Sequence, residues 1–267
     1  FATPMIAPWS TSPLTTKDRP FVFRSGYVLN VQGPALTTFV GKKYKVTKAA
    51  VLYDIVSAYP RATAKNFREA FESAHGAGSV VAYEEFRTGE TDFRSQLKRI
   101  KKSGAGVLLV PQHYNEVPEI VHQAREVGLT IPIIGSNSWA GGDIIDRCKK
   151  DCDGLFFVAN YAPGGAKGQN KKFVTAYKAA YKDLPDEPAA LTWDAVRVVL
   201  QAIHDTGGLS GDIIKDRNTV RVSLARVHDF DGASGPMTFN ESGDPDKCAI
   251  MVQINGTELT EYEKICP

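Results

Sequence analysis

The chain has 267 residues, of which 43% are hydrophobic and 23% charged, a balance typical of an ordinary globular protein with room for one large domain or two modest ones. The formal net charge of +2 is too small to favour nucleic acid or an anionic membrane as a partner. No apolar run is long enough to span a bilayer.

Residues 1–30 are rich in Pro, Ser and Thr and predict an irregular segment with one short extended run, Phe21–Arg24. The opening residues do not form a signal peptide, so we expect either that a signal was removed or that the chain starts inside a larger protein. Gln32-Gly33-Pro34 then leads into a helical run that carries Leu36 and Phe39.

Between Lys48 and Val158 the chain alternates β-type runs with amphipathic helical runs five times. This alternation predicts an α/β fold with a parallel, doubly wound sheet, in which ligands bind beyond the carboxyl ends of the strands. The predicted strands are Ala49–Asp54, Ser79–Phe86, Val107–Val110, Ile131–Gly135 and Leu155–Val158. The predicted buried helix faces carry Phe67, Phe71 and Ala74, then Phe93, Leu97 and Ile100, then Val117, Ile120, Val121 and Ala124.

The second half of the chain predicts a different organisation. The Gly-rich segment Tyr161–Gln169 is followed by helical runs, and these would overcrowd the five-stranded unit, so we expect a second lobe with helices and almost no strands of its own. The helical runs are Lys171–Lys182, Ala189–Thr206 (with Val196, Val199, Leu200 and Ile203 as apolar residues) and Asn218–Val227. Hairpin-like runs at Gly235–Phe239 and Ala249–Ile254 precede a polar tail. The predicted division is residues 1–30 plus 161–235 for the first lobe and residues 31–160 plus 236–267 for the second.

The four cysteines form two pairs in sequence, Cys148 with Cys152 and Cys248 with Cys266. A four-residue offset at a helix end puts two α-carbons ~6 Å apart, within reach of a disulfide. A zinc site is the alternative, but it needs four converging ligands and no histidine lies near either pair. Disulfides are favoured over free thiols, and they indicate an oxidising compartment.

Motifs of enzymes and cofactor sites are missing from the sequence. The Gly-Gly-Ala-Lys-Gly run at 164–168 suggests a phosphate loop, but the Walker pattern needs Gly-Lys-Ser/Thr opening a helix directly after a strand, and here Gly168 is followed by Gln169. No GxGxxG follows the first strand, and neither HExxH nor GxSxG occurs. The sequence therefore predicts no enzyme activity, no cofactor and no metal site.

Polar and aromatic residues follow the ends of three predicted strands, where Tyr59, His113, Asn137 and Trp139 stand. Because these ends meet at one edge of a parallel sheet, the side chains are candidates for lining a ligand cleft. Capping of the sheet edge is an equally good interpretation of Trp139. Trp193 and Asp194, at a predicted helix start, are interpreted as structural, with Asp194 interacting with the helix dipole.

Several segments together resemble the type I periplasmic solute-binding proteins of ABC importers, and within them the leucine/isoleucine/valine-binding branch. The segments are Ile6-Ala7-Pro8-Trp9-Ser10-Thr11-Ser12-Pro13-Leu14, Arg24 with Gln32-Gly33-Pro34, Gly89-Glu90-Thr91-Asp92-Phe93, Gln123-Ala124-Arg125 with Gly128-Leu129, and Gly232–Phe239 with Gly243-Asp244. The resemblance covers essentially the whole chain in order. It implies two doubly wound α/β lobes with a hinge, the first lobe lacking its N-terminal part in this chain.

The resemblance also implies ligand-binding residues. The loop Trp9-Ser10-Thr11 matches the one that holds an amino acid's carboxylate and ammonium, with Thr11 as the hydroxyl donor. Tyr59 matches an aromatic wall residue, and His113 falls where amino-acid binders often have a tyrosine, with Tyr114 beside it.

Two positions depart from the pattern of the leucine-binding members. Asn137 and Leu29, the latter with Asn30 adjacent, fall where those members carry acidic residues. A buried ammonium needs an anionic or multiple-carbonyl partner, so its capture is weakened here. The expected ligand is a branched-chain or other aliphatic amino acid, or alternatively an aromatic or aliphatic carboxylic acid without an ammonium group.

The function implied by the resemblance is that of an extracytoplasmic, periplasmic binding protein that captures a small carboxylate-bearing ligand in the interlobe cleft by hinge closure. The implied partners are the ligand and an ABC permease, with no nucleic acid, and a separate N-terminal fragment is a further expected partner. The alternatives are the ligand-binding ectodomain of a sensor and, with no supporting nucleophile–base pair, an enzyme of the doubly wound class.

Overall fold

A computed structural model describes residues 2–266 of the chain. The strands are β1 (Met5–Ala7), β2 (Val22–Arg24), β3 (Ala49–Asp54), β4 (Val80–Phe86), β5 (Val107–Val110), β6 (Ile133–Gly135), β7 (Phe156–Ala159), β8 (Phe230–Gly232), β9 (Gly235–Met237), β10 (Ala249–Asn255) and β11 (Glu258–Ile265). The helices are α1 (Gln32–Tyr44), α2 (Ala58–His75), α3 (Arg94–Lys102), α4 (Val117–Glu126), α5 (Ile144–Cys148), α6 (Gly168–Tyr181), α7 (Glu187–Asp205) and α8 (Ile213–Leu224). None of the described helices has the length and apolar character needed to cross a membrane.

The described residues form two compact units. The smaller unit contains residues 2–28, 160–248 and 266, and the larger unit contains residues 29–159 and 249–265. The predicted division placed residues 236–248 in the second lobe, whereas here they belong to the smaller unit. Phe239 packs on Phe23 with ring centroids 5.2 Å apart, and Lys247 Nζ donates to the Ser25 carbonyl at 3.0 Å. Such contacts between distant segments leave no trace in local periodicity.

The larger unit is built on a seven-stranded sheet in the order β11-β10-β7-β6-β5-β3-β4. Strands β3 to β7 are parallel, which confirms the predicted doubly wound sheet. The hairpin-like runs 235–239 and 249–254 do not pair with each other, because β10 pairs antiparallel with β7 and, across a turn at Gly256, with β11. The predicted polar tail is strand β11, whose side chains are exposed or half-buried, as expected at a sheet edge.

The helices of the larger unit bury nearly all the residues that their spacing predicted. The predicted apolar residues of α4 are fully buried, as are those of α3 with Phe93 before it. In α2, Phe67 and Phe71 are buried, but Ala74 is exposed. The ring of His75 packs on Phe71 instead, with centroids 4.5 Å apart, because residues four apart share one side of a helix.

The smaller unit contains α6, α7 and α8, the parallel pair β1–β2 and the antiparallel pair β8–β9. Its main core consists of Phe23, Val198, Ala202, Val220, Leu224, Met237 and Phe239. In α7, Val196 and Leu200 were predicted to belong to the apolar face, but they are exposed. Val198 and Ala202 are buried in their place, because α8 contributes Val220 and Leu224 to the core on that side.

Two disulfides confirm the cysteine pairs predicted from the sequence. Cys148 bonds to Cys152 with α-carbons 5.5 Å apart, and Cys248 bonds to Cys266 with α-carbons 4.1 Å apart. All four cysteines are therefore engaged, and the alternatives of free thiols and of zinc ligation by these cysteines do not apply.

Candidate functional site

Three predicted site residues of the larger unit meet at the carboxyl ends of the parallel strands. Tyr59 lies in the first turn of α2, after β3, and Asn137 begins a short 3-10 turn after β6. The Tyr59 hydroxyl donates to Asn137 Oδ1 at 2.5 Å, and the His113 ring lies 5.7 Å from the Tyr59 ring. Asn137 is 2% exposed, whereas Tyr59 is half-buried. The sheet topology thus gathers these residues, while their role in binding stays a prediction.

Gln32, the first residue of α1, completes this group, and we refer to Gln32, Tyr59 and Asn137 as the amide cluster. Gln32 is fully buried, its Nε2 donates to Asn137 Oδ1 at 2.9 Å, and its Oε1 accepts from the Tyr59 hydroxyl at 3.3 Å. In the sequence, Gln32 is recognisable only as part of a helix start. The available signal was a long polar side chain at the beginning of an apolar helix.

Small hydroxyl side chains surround the Tyr59 phenol. Ser136 and Ser138 share a hydrogen bond of 2.9 Å, and Ser138 Oγ donates to the Gln112 carbonyl at 2.6 Å. Burial raises the pKa of Tyr59, an effect that hydrogen bonds from Ser136 and Thr63 partly oppose. The phenol therefore stays protonated at neutral pH and serves as a donor to the amide cluster.

Trp139 is a buried residue in the 3-10 turn after β6, at the end of the sheet. It is fully buried, and its indole Nε1 donates to the Val110 carbonyl at 3.1 Å. Its ring lies 6.0 Å from that of Phe157, and it occupies the space that a side chain at Gly135 would need. Of the two interpretations of Trp139, the structure favours capping of the sheet edge.

The other predicted residues of the larger unit stand outside the hydrogen bonds of the amide cluster. Tyr114 is half-buried and its ring packs against Gly142, where a Cβ would overlap it. Leu29 is half-buried and Asn30 exposed, in the 3-10 turn Leu29–Val31 directly before Gln32.

In the smaller unit, the loop Trp9-Ser10-Thr11 follows β1 and is held by the buried guanidinium of Arg24. Arg24 donates to the carbonyls of Ser10 at 2.9 Å and Ser12 at 2.8 Å, and to Asp244 Oδ1 at 2.5 Å. Ser10 Oγ also shares a hydrogen bond of 2.6 Å with Thr15. Thr11 is 8% exposed. The bidentate geometry of arginine suits two adjacent carbonyls, so the loop conformation is fixed by its neighbours.

Trp9 is hydrogen-bonded to Glu187, a residue that the sequence pattern did not predict as part of the site. The indole Nε1 donates to Glu187 Oε1 at 3.0 Å, and Glu187 also accepts from the backbone N–H of Asn160 at 2.6 Å and from its Nδ2 at 2.9 Å. Glu187 is 1% exposed at the start of α7, where the helix dipole favours a negative charge. The signal in the sequence is Asp186-Glu187-Pro188, a pattern typical of a helix start. The helix therefore begins at Glu187, two residues before the predicted start at Ala189.

A second buried carboxylate of α7 organises the loop before β9. Asp194 is 1% exposed and accepts from the backbone N–H groups of Ala233 at 2.7 Å and Ser234 at 2.8 Å. Lys247 Nζ donates to Ser234 Oγ at 2.5 Å, and burial lowers the pKa of Lys247 to about 8 although Asp194 and Glu187 oppose the shift. Asp194 is structural, as predicted, but it lies two turns into α7 and so does not act at the helix start.

Within residues 2–266, no group of three or more His, Cys, Asp or Glu side chains is placed to hold a metal ion. The chemistry of the arrangement is that of hydrogen-bond donors, amide groups and aromatic rings. These groups can orient a small polar molecule.

A family model described as periplasmic binding protein matches residues 2–258. The chain belongs to the periplasmic binding protein family. This periplasmic binding protein is 25% identical over 204 residues to the leucine-, isoleucine-, valine-, threonine- and alanine-binding protein of Pseudomonas aeruginosa, over 76% of this chain and 54% of the relative. It is 26% identical over 182 residues to the Leu/Ile/Val-binding protein of Escherichia coli, over 67% of this chain and 48% of the relative. The chain thus spans about half the length of these relatives.

Solved structures confirm the type I fold of this periplasmic binding protein. A leucine-binding protein from Thermotoga maritima superposes with a TM-score of 0.87 at 28% identity, over 99% of this chain and 73% of that one. The substrate-binding protein of a branched-chain amino acid transporter from Streptococcus pneumoniae, in complex with isoleucine, gives a TM-score of 0.85 at 28% identity over the same shares. A solute-binding protein from R. palustris, in complex with benzoate, gives 0.86 at 21% identity over 99% and 71%, a likeness that shows the fold alone.

Proposed function

We propose that this chain is an extracytoplasmic solute-binding protein that captures a small carboxylate-bearing ligand and delivers it to an ABC permease. The observation that carries the proposal is the buried amide cluster at the carboxyl ends of parallel strands, the position where sheets of this kind bind ligands. The family match and the names of the relatives support a binding role. The two disulfides support a location outside the cytoplasm.

In this proposal the loop Trp9-Ser10-Thr11 of the smaller unit receives the ligand carboxylate. Short hydroxyl groups and backbone N–H groups are donors, and a carboxylate accepts strong, charge-assisted hydrogen bonds from them. Arg24 and Glu187 hold this loop in place, so the donors are oriented before the ligand arrives. The larger unit contributes Tyr59, His113, Tyr114 and Asn137, with Leu29 and Asn30 beside them. Hinge closure over the ligand stays a prediction of the family resemblance.

Isothermal titration calorimetry with leucine, isoleucine, benzoate and their close analogues tests this function. Thr11→Ala is expected to weaken carboxylate binding by about 1.5–3 kcal/mol, because a hydrogen bond to a charged group is lost. Thr175→Ala, at an exposed position of α6, serves as the matched control and is expected to leave affinity unchanged. Unchanged affinity in Thr11→Ala would contradict the placement of the carboxylate, and absence of binding by every carboxylate tested would contradict the function.

A further inference from the structure

The acceptor atoms of the amide cluster are already used within the protein. Asn137 Oδ1 accepts from Gln32 Nε2 at 2.9 Å and from the Tyr59 hydroxyl at 2.5 Å, and an amide oxygen has two lone pairs. Gln32 Oε1 accepts from the Tyr59 hydroxyl at 3.3 Å and from the Asn137 backbone N–H at 3.5 Å. The Tyr59 phenol has a single hydrogen, and the shorter contact directs it to Asn137 Oδ1. Asn137 Oδ1 therefore has two donors before any ligand arrives, and Gln32 Oε1 has the backbone N–H of Asn137.

The buried carboxylate at the same edge of the sheet is also occupied. Asp54, at the end of β3, is 1% exposed. Its Oδ1 accepts from the backbone N–H groups of Val56 at 2.8 Å and Ser57 at 3.3 Å, and its Oδ2 accepts from the Thr88 hydroxyl. This carboxylate closes its own loop and is not an anion held ready for a ligand.

Glu116, the other carboxylate near these strand ends, is half-buried at the start of α4. Its Oε2 accepts from Gln112 Nε2 at 3.1 Å. Burial raises the pKa of Glu116, and His113 partly opposes this shift. Glu116 therefore already has two polar neighbours, the Gln112 amide and the His113 ring.

A ligand ammonium makes a demand that the amide cluster does not meet, because the cluster contains no anion. When it leaves water, an ammonium needs an anion or several acceptors, and an unpaired one costs several kcal/mol. A hydrocarbon or aromatic body makes no such demand and can lie against the rings of Tyr59 and His113. We infer that the ligand is a carboxylic acid, aromatic or aliphatic, that lacks an α-ammonium group. This inference rests on the proposed function and narrows its ligand class.

Two pairs of ligands that differ only in the ammonium group test the inference directly. The pairs are leucine with 4-methylpentanoate and phenylalanine with 3-phenylpropanoate, each titrated into the purified protein by calorimetry at pH 7. In the pair that binds, the acid without the ammonium is expected to bind at least about tenfold more tightly, a difference of about 1.4 kcal/mol. Equal or tighter binding of the amino acid would overturn this inference and leave the proposed function standing. Absence of binding by these four ligands and by isoleucine and benzoate would contradict the proposed function and the inference with it.

The variant Asn137→Asp adds the missing anion with little change in shape. An aspartate oxygen still accepts from Gln32 and Tyr59, and the added negative charge attracts a nearby ammonium. We expect the preference for 4-methylpentanoate over leucine to fall by tenfold or more. Asn255→Asp, at an exposed residue at the end of β10, makes the same chemical change and is expected to leave the preference unchanged.

Circular dichroism first establishes that Asn137→Asp is folded. If it is not, Leu29→Asp provides the second variant, because Leu29 is half-buried in the turn directly before Gln32. An unchanged preference in a folded variant would contradict the assignment of ligand class to the amide cluster.

Discussion

The indole N–H of Trp9 donates a hydrogen bond of 3.0 Å to the buried carboxylate of Glu187, 178 residues further along the chain. The same carboxylate accepts two hydrogen bonds from Asn160, whose Oδ1 accepts from the Tyr27 backbone N–H at 2.8 Å. The loop proposed to hold the ligand carboxylate is therefore oriented by a residue that lies far from it in sequence.

Glu187→Gln is expected to destabilise the protein and to weaken ligand binding. Each Glu187 oxygen accepts from Asn160, so an amide NH₂ in either place faces a donor and leaves at least one buried hydrogen bond unmade. The loss is about 1–3 kcal/mol in the free energy of unfolding, measured by urea denaturation. Glu241→Gln, at an exposed site of the same unit, is the control. Equal stability of both variants would show that Glu187 does not anchor the loop.

Lys247 is expected to make the protein more stable as pH rises from 8 towards 10. Burial lowers the pKa of Lys247 to about 8 in the folded chain, whereas the ordinary value is 10.5. Between these values the unfolded chain binds the extra proton, so raising the pH favours the folded state. Unfolding free energies of the wild type and Lys247→Met, measured at pH 7.5 and 9.5, give the test. The wild type should gain relative to the variant, and a constant difference between them would contradict the prediction.

The two disulfides are expected to differ in their contribution to stability. The Cys248–Cys266 bond closes a segment of 18 residues and the Cys148–Cys152 bond one of 4. In the chain-entropy account, removing the longer loop closure costs about 3 kcal/mol and the shorter about 2 kcal/mol. Double Cys→Ser variants of each pair, compared by chemical denaturation, provide the measurement. A larger loss of unfolding free energy from the 148–152 pair would mean that local packing, and not loop closure, determines the contribution of the disulfides to stability.

His122 is expected to titrate above its ordinary pKa because it bridges two carboxylates. Its Nδ1 lies 3.0 Å from Asp151 and its Nε2 lies 3.3 Å from Glu126, and the hydrogen bond to Asp151 is the main cause that raises the pKa of His122. Any stability from this pairing is present below pH 6.5 and is lost as pH rises through the raised value. An NMR titration of the ring proton should show a lower pKa in Asp151→Asn and no change in Asp146→Asn. A wild-type pKa of 6.5 or below would contradict the bridge.

Strands with local signals were predicted well. Strands β3 and β5 have the predicted bounds, because strands buried on both faces are continuous apolar runs that can be seen in the sequence. The meeting of Tyr59, His113 and Asn137 also followed from the sequence, since the ends of parallel strands lie at one edge of a sheet. The exposure of Leu200 could not be predicted from the sequence, because the packing of α8 decides which side of α7 is buried.

The sequence by itself determined the parallel sheet, the cysteine pairs and the strand ends where candidate ligand groups gather, since each depends on periodicity or spacing over a few residues. Only the tertiary structure decided that Gln32 donates to Asn137, that Glu187 holds Trp9 and that Lys247 lies buried beside Ser234. These contacts join residues that are far apart in the chain. A hydrogen bond depends on distance and direction in space, and neither leaves a local pattern in the sequence.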